Sequence, residues 1–246
     1  IILAGAIALN LMLGIFYCWS CLVPALEQVF EGATRATMSA VFSAGTLVFT
    51  LATSVIGPEL FSIFLPAPVA AGSAVLTGVG LLVSAFAAAT GSLPLLFVGY
   101  GVCFGASSGV GYGLTVQLSN LPVFRSNKGV ATGLIISSRA AGAMLFAPVI
   151  NVLIMQVGIV RTMVVMGAAF IAAAVPVVVL FRMADFQAPL SARRGKAAKA
   201  EDSVDAELAR LQGIMFVMRI VLGCGVFAGL MITAHAATFA ANRGAQ

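Results

Sequence analysis

The sequence predicts an all-α, polytopic membrane protein, and three observations predict it. Of its 246 residues, 61% are hydrophobic and 9% charged, against about 45–50% and about 25% in soluble domains. The mean hydropathy is +1.11. The apolar residues also gather into runs of about 20, the length a helix needs to cross the hydrocarbon core of a bilayer. A soluble protein of this composition would have too little polar surface to face water. The net charge of +5, from 13 basic and 8 acidic residues, sits in connections rather than along a stripe, so no nucleic-acid partner is expected.

Seven segments qualify as spans: 2–26, 37–57, 67–89, 93–119, 129–155, 160–182 and 212–240. The first begins apolar at Ile1, with no basic stretch or cleavage site before it, so it is expected to be a span rather than a signal peptide. At 100° per residue, Asn10, Gly14, Tyr17 and Cys21 share one of its faces. Trp19 points the other way and is expected to anchor at the membrane interface. In the second span Ser43, Thr46, Thr50 and Ser54 share a face. In the fourth, Gly101, Gly105, Ser108, Tyr112 and Thr115 do, with Gln117 further toward the cytoplasmic end. In the fifth, Thr132, Arg139, Ala143 and Phe146 come together.

Small residues spaced by four let helix backbones approach closely. That reading covers Gly101, Gly105, Gly109 and Gly113, and also Gly129 and Gly133. The hydroxyl stripes read either as interhelical hydrogen bonds or as cavity lining. Tyr17 and Tyr112 each follow Gly-x-x (Gly14, Gly109), in the first helix of each three-helix repeat, which would bring both phenols to one central cavity.

After the sixth span comes a linker, about 183–210, holding "SARRGKAAKAEDSVDAELARL". It is polar, Ala-rich and charged with both signs, and reads as a solvated tether. Connections after even-numbered spans carry Arg125, Lys128, Arg182, Arg193, Arg194, Lys196, Lys199 and Arg210. Odd-numbered connections and the tail carry Arg35, Arg161 and Arg243. The bias places the N-terminus and the linker in the cytoplasm. Six helices, a long cytoplasmic linker and a seventh helix make the pattern of carriers built from two six-helix halves. The expected organisation is a bundle over 1–182, the linker 183–210, and a seventh helix over 211–246 opening a second bundle. The chain is expected to be a piece of a longer protein that supplies the rest of that bundle.

The four cysteines, Cys18, Cys21, Cys103 and Cys224, lie in apolar segments and read as packing residues. Cys18-x-x-Cys21 has metal or redox spacing but no second ligand pair. No metal or cofactor is expected. There is no Ser/His/Asp set, no acid pair and no metal cluster, so no enzyme is expected either. Gly109-x-Gly111-x-Gly113 lies inside a span and is not a phosphate loop.

Arg139 stands near the middle of an apolar span, where insertion scales charge roughly 2.5–3.5 kcal/mol for arginine. Asp and Glu are absent from the depth of every span; Glu27, Glu31 and Glu59 sit at edges. The guanidinium therefore has two readings. It bonds backbone carbonyls or an acid elsewhere in the protein, or it receives the carboxylate of a substrate through parallel hydrogen bonds. Arg219 lies near the cytoplasmic end of the seventh span, where snorkelling is easy. His235 shares a face with Cys224, Ala228 and Met231, and one histidine is no motif.

Tyr17-Cys18-Trp19-Ser20 with Pro24 resembles the Y-x-W-S first helix of the oxalate/formate antiporter family, a monocarboxylate-carrier-like branch of the major facilitator superfamily. Lys128-Gly129-Val130-Ala131-Thr132-Gly133 resembles the R-G-x-A-x-G opening of its fifth helix. Gly158 through Arg161 resembles the G-x-x-R turn before its sixth, and Gly229-Leu230-Met231 with His235 and Gly244 its seventh. The likeness runs in order along nearly the whole chain. It implies alternating access of two bundles, a small carboxylate such as oxalate, formate or a lactate-like acid, and a site lined by Tyr17 and Tyr112. The sequence departs from the pattern in three places. Gly57-Pro58-Glu59-Leu60-Phe61-Ser62 stands where the superfamily carries Gly-x-x-x-Asp-Arg. Arg139 lies near a small residue or Phe of the family pattern. The first helix lacks the lysine of lactate-type carriers.

The function expected is thus secondary transport of small organic anions, with Arg139, Tyr17, Tyr112, Asn10 and Gln117 as substrate-binding residues. The partners are the carboxylate, the lipid bilayer and the second bundle. A carrier of other solutes with the same fold, or a non-transporting membrane sensor or scaffold, are the rival readings.

Overall fold

The computed structural model describes residues 1–184. The linker from 185 onward and the seventh span, with Arg219, Cys224 and His235, lie outside the described residues. Within 1–184 the secondary structure is helical throughout. Helices α1 (Ile2–Val29), α2 (Arg35–Ile63), α3 (Pro66–Thr90) and α4 (Leu93–Leu118) are each long and apolar enough to cross a membrane, as is a last stretch, Pro122–Met183. That stretch has 62 residues. At 1.5 Å per residue it would reach roughly 90 Å, three times the hydrocarbon thickness. Gly158, at φ 80° and ψ 167°, breaks it into α5 (128–157) and α6 (159–183). A side chain at that φ would be strained. The first six predicted spans thus each coincide with a helix.

Glycine sets the helix crossings. A methyl group at Gly14 of α1 would overlap the Arg139 carbonyl of α5, and one at Gly142 would overlap the Leu11 carbonyl of α1. Gly105 and Gly109 of α4 press in the same way on the Gly45 and Phe49 carbonyls of α2. Gly78 of α3 meets Gly167 of α6. In lipid, where the apolar environment gives helices no hydrophobic reason to associate, such close backbone approach is what packing contributes.

Three helices depart from α geometry. α1 tightens to a 3₁₀ turn over Gly14–Cys18. α2 widens to a π turn over Ala52–Ile56, and α4 over Phe97–Phe104.

Several expectations are corrected. Trp19 is not an interface anchor: it is 1% exposed, with its ring 4.2 Å from Tyr100 and 6.2 Å from Phe42. α1 is enclosed on both sides, by α5 on one and by α2 and α4 on the other, so a residue opposite Tyr17 still meets protein. The connection after α2 is shorter than expected, because Gly57–Ile63 is helical and only Phe64 and Leu65 separate α2 from α3. The π turn comes just before Pro58, which has no N–H to donate. Gly129 and Gly133 crowd no neighbour among the described residues: nothing lies within 4 Å of a methyl group placed there. The α2 hydroxyls mostly bond their own helix, Ser43 to the Ser39 carbonyl, Thr46 to Phe42 and Thr50 to Thr46. Thr53, by contrast, also donates across to the Gly109 carbonyl of α4, at 3.0 Å.

Candidate functional site

Arg139 is among the largest fully buried side chains, with 2% of its surface exposed. α5 brings its backbone against Gly14, and the guanidinium lies where α1, α2, α4 and α5 converge. Its central carbon is 5.2 Å from the ring centroids of Tyr17 (α1) and Phe49 (α2). Tyr112 (α4) stands at 5.4 Å and Phe16 (α1) at 6.0 Å. Each such contact stabilises a cation by about 0.5–2 kcal/mol, more as water is excluded. Nη2 donates to Ser108 Oγ at 2.6 Å. Nε and Nη1 are buried and have no hydrogen-bond partner.

Among the described residues no carboxylate compensates this charge. The acidic residues in the described part of the chain are Glu27, Glu31 and Glu59. Among the described residues one ion pair is formed, Arg35 Nε to Glu27 Oε1 at 3.5 Å, at the turn between α1 and α2. An arginine carries five N–H donors and no acceptor. Rings lower the cost of its charge but accept little from its N–H groups, so the site keeps unused donors. Unused donors of a planar guanidinium are the chemistry that pairs with a carboxylate or similar anion.

The expected site residues fall in three places. Tyr17 and Tyr112 are brought together around Arg139. Asn10 is fully buried about two turns away along α1, where its amide donates to Thr115 Oγ1 at 2.9 Å and the Ile135 carbonyl at 3.0 Å; its Oδ1 has no partner. Gln117 is half-buried near the end of α4, apart from the cluster. Sequence reading missed Phe16 and Phe49, because a phenylalanine in an apolar helix carries no contrast. Ser108 was placed on the right face of α4, but nothing in the sequence paired it with Arg139.

A cavity in the described part lies elsewhere. It has a volume of about 410 Å³ and opens between α2, α3 and α4, lined by apolar residues such as Leu60, Val69, Leu76 and Val110. It shares no residue with the Arg139 cluster, which is closed in this structure. Among the described residues no cluster of His, Cys, Asp and Glu suits a metal ion.

No family model matches the chain. Over 173 residues it is 32% identical to YhjX of Escherichia coli (strain K12), an uncharacterized MFS-type transporter; the match takes in 68% of this chain and 40% of that protein. This likeness supports the major facilitator superfamily. The superfamily reading and the apolar six-helix arrangement agree on an integral, multi-pass membrane protein. The chain spans 40% of the length of the relative it matches, and that relative's name carries no substrate.

Proposed function

We propose that the chain is part of a secondary transporter of the oxalate/formate antiporter branch, and that it moves small organic anions by alternating access. One observation carries the reading. Among the described residues, a buried guanidinium stands among four helices with Nε and Nη1 unpartnered and no acid beside it. A substrate carboxylate against those donors satisfies both the charge and the hydrogen bonds. Tyr17 and Tyr112 flank it, and on the same reading Asn10 and Gln117, which lie apart from the cluster in this structure, meet the anion elsewhere on its path. The second bundle supplies the opposing wall, and the two bundles rock about the bound anion. The N-terminus and the linker lie in the cytoplasm, following the charge bias.

The test is transport by the full-length protein in proteoliposomes, with labelled oxalate, formate and lactate as probes. Loss of charge-assisted hydrogen bonds of about 1.5–3 kcal/mol predicts that Arg139→Gln raises the KM for the carboxylate at least tenfold. Arg139→Lys keeps the charge but not the planar fork, and falls between the two. A KM unchanged in Arg139→Gln contradicts the reading and leaves Arg139 a packing residue. The altered α2–α3 connection favours one rival, a non-transporting sensor or scaffold; it predicts neither carboxylate-dependent stabilisation nor flux.

A further inference from the structure

The Arg139 cage depends on one irregular stretch of chain. Phe16 and Tyr17, two of its four rings, both sit in the 3₁₀ turn Gly14–Cys18 of α1. A 3₁₀ turn has poorer hydrogen-bond geometry than an α turn and lasts only where something holds it. Three contacts do so here. Gly14 is wedged on the Arg139 backbone. Cys18 Sγ donates weakly to the Ala143 carbonyl at 3.5 Å. The third comes from α4: the Tyr100 hydroxyl donates to the Phe16 carbonyl at 3.3 Å.

Tyr100 is built for that task. It is fully buried, lies within the π turn of α4, and is locked by Trp19 at 4.2 Å and by the edge of Phe104 at 4.8 Å. Its ring also stacks on Phe16 at 6.1 Å. It has no place among the rings around Arg139. Two irregular turns, one in α1 and one in α4, thus meet through a single phenolic hydrogen bond, and the carbonyl it holds belongs to the residue before Tyr17.

We propose that Tyr100 is a positioning residue for the anion site: its hydroxyl holds the 3₁₀ turn that sets Phe16 and Tyr17 against Arg139. The inference rests on the carboxylate reading of Arg139 and adds to it a residue that never touches the anion. When the bond is released, α1 relaxes toward regular α winding and Tyr17 turns from the guanidinium. The anion site then loses preorganisation while the fold stands.

The experiment compares full-length wild type, Tyr100→Phe and Arg139→Gln, with formate and oxalate as probes. Two readouts are taken: the Kd for the anion, and hydrogen–deuterium exchange of the peptide covering residues 14–18 without ligand. Tyr100→Phe keeps the ring and the packing. The expected results are faster exchange in that peptide and a Kd weakened about three- to tenfold, the effect of one ordinary neutral hydrogen bond. Unchanged exchange at 14–18 overturns the proposal, and so does a wild-type Kd in Tyr100→Phe while Arg139→Gln binds weakly. A wild-type Kd in Arg139→Gln is a separate failure, of the carboxylate reading itself, and takes the positioning role with it.

Discussion

At the residue scale, stability and binding pull against each other at Arg139. A buried charge with unfilled donors costs free energy, and replacing such groups by well-packed apolar residues often stabilises a protein by about 1–4 kcal/mol. Arg139→Met is therefore expected to raise the thermal unfolding temperature of the unliganded protein while abolishing anion binding. A lowered temperature would mean that the guanidinium holds the helices together. Ser108→Ala does the opposite: it leaves Nη2 without its partner and lowers stability by about 1–3 kcal/mol, read by the same melting measurement. The legibility of the site follows the same physics. Arg139 stood out in the sequence because a cation contrasts with an apolar run. Tyr17 and Tyr112 stood out through their spacing from glycines. Phe16 and Phe49 did not, since their role depends on which neighbours the fold delivers.

At the element scale, two glycines of the same helix do different work. Gly142 leaves no room for a methyl group beside the Leu11 carbonyl, whereas Gly133 meets nothing within 4 Å. Gly142→Ala is expected to lower stability by about 1–3 kcal/mol through overpacking. Gly133→Ala should leave it unchanged or slightly higher, because alanine is the better helix former. Equal effects at the two positions, measured by thermal unfolding in detergent, would contradict the packing described. The small-residue pattern was legible for α4 but over-read for the start of α5, because spacing does not tell which face finds a neighbour. The 3₁₀ and π turns were barely legible. They alter hydrogen bonding over a few residues without changing the apolar pattern, and a fixed 100° rotation per residue passes over them. Pro58, just after the π turn of α2, was the one local signal available.

At the scale of the whole molecule, the number and order of the first six spans were written in hydropathy, since each must be long and apolar whatever its packing. Sidedness follows from alternation. The turn at 30–34, the turn at 91–92 and Gly158 share one side; residues 64–65 and 119–127 share the other. The charge bias predicts that the second side is the cytoplasmic one. Cysteine introduced at Ser126 should react with an impermeant thiol reagent from the cytoplasmic side only, and one at Glu31 from the opposite side only. Labelling in the reverse sense would invert the orientation. The identity of the cargo was the least legible feature, because it rests on a handful of side chains gathered from four helices.

The most direct measurement of the central claim is ligand-dependent thermal stability of the full-length protein, wild type beside Arg139→Gln, titrated with formate or oxalate and with a neutral amide of matched size. Binding at a hundred times Kd stabilises a protein by about 2.7 kcal/mol. The account predicts a saturable rise in the unfolding temperature of the wild type with the carboxylate alone, and none in Arg139→Gln. An equal rise in both proteins, or an equal response to the amide, would contradict it.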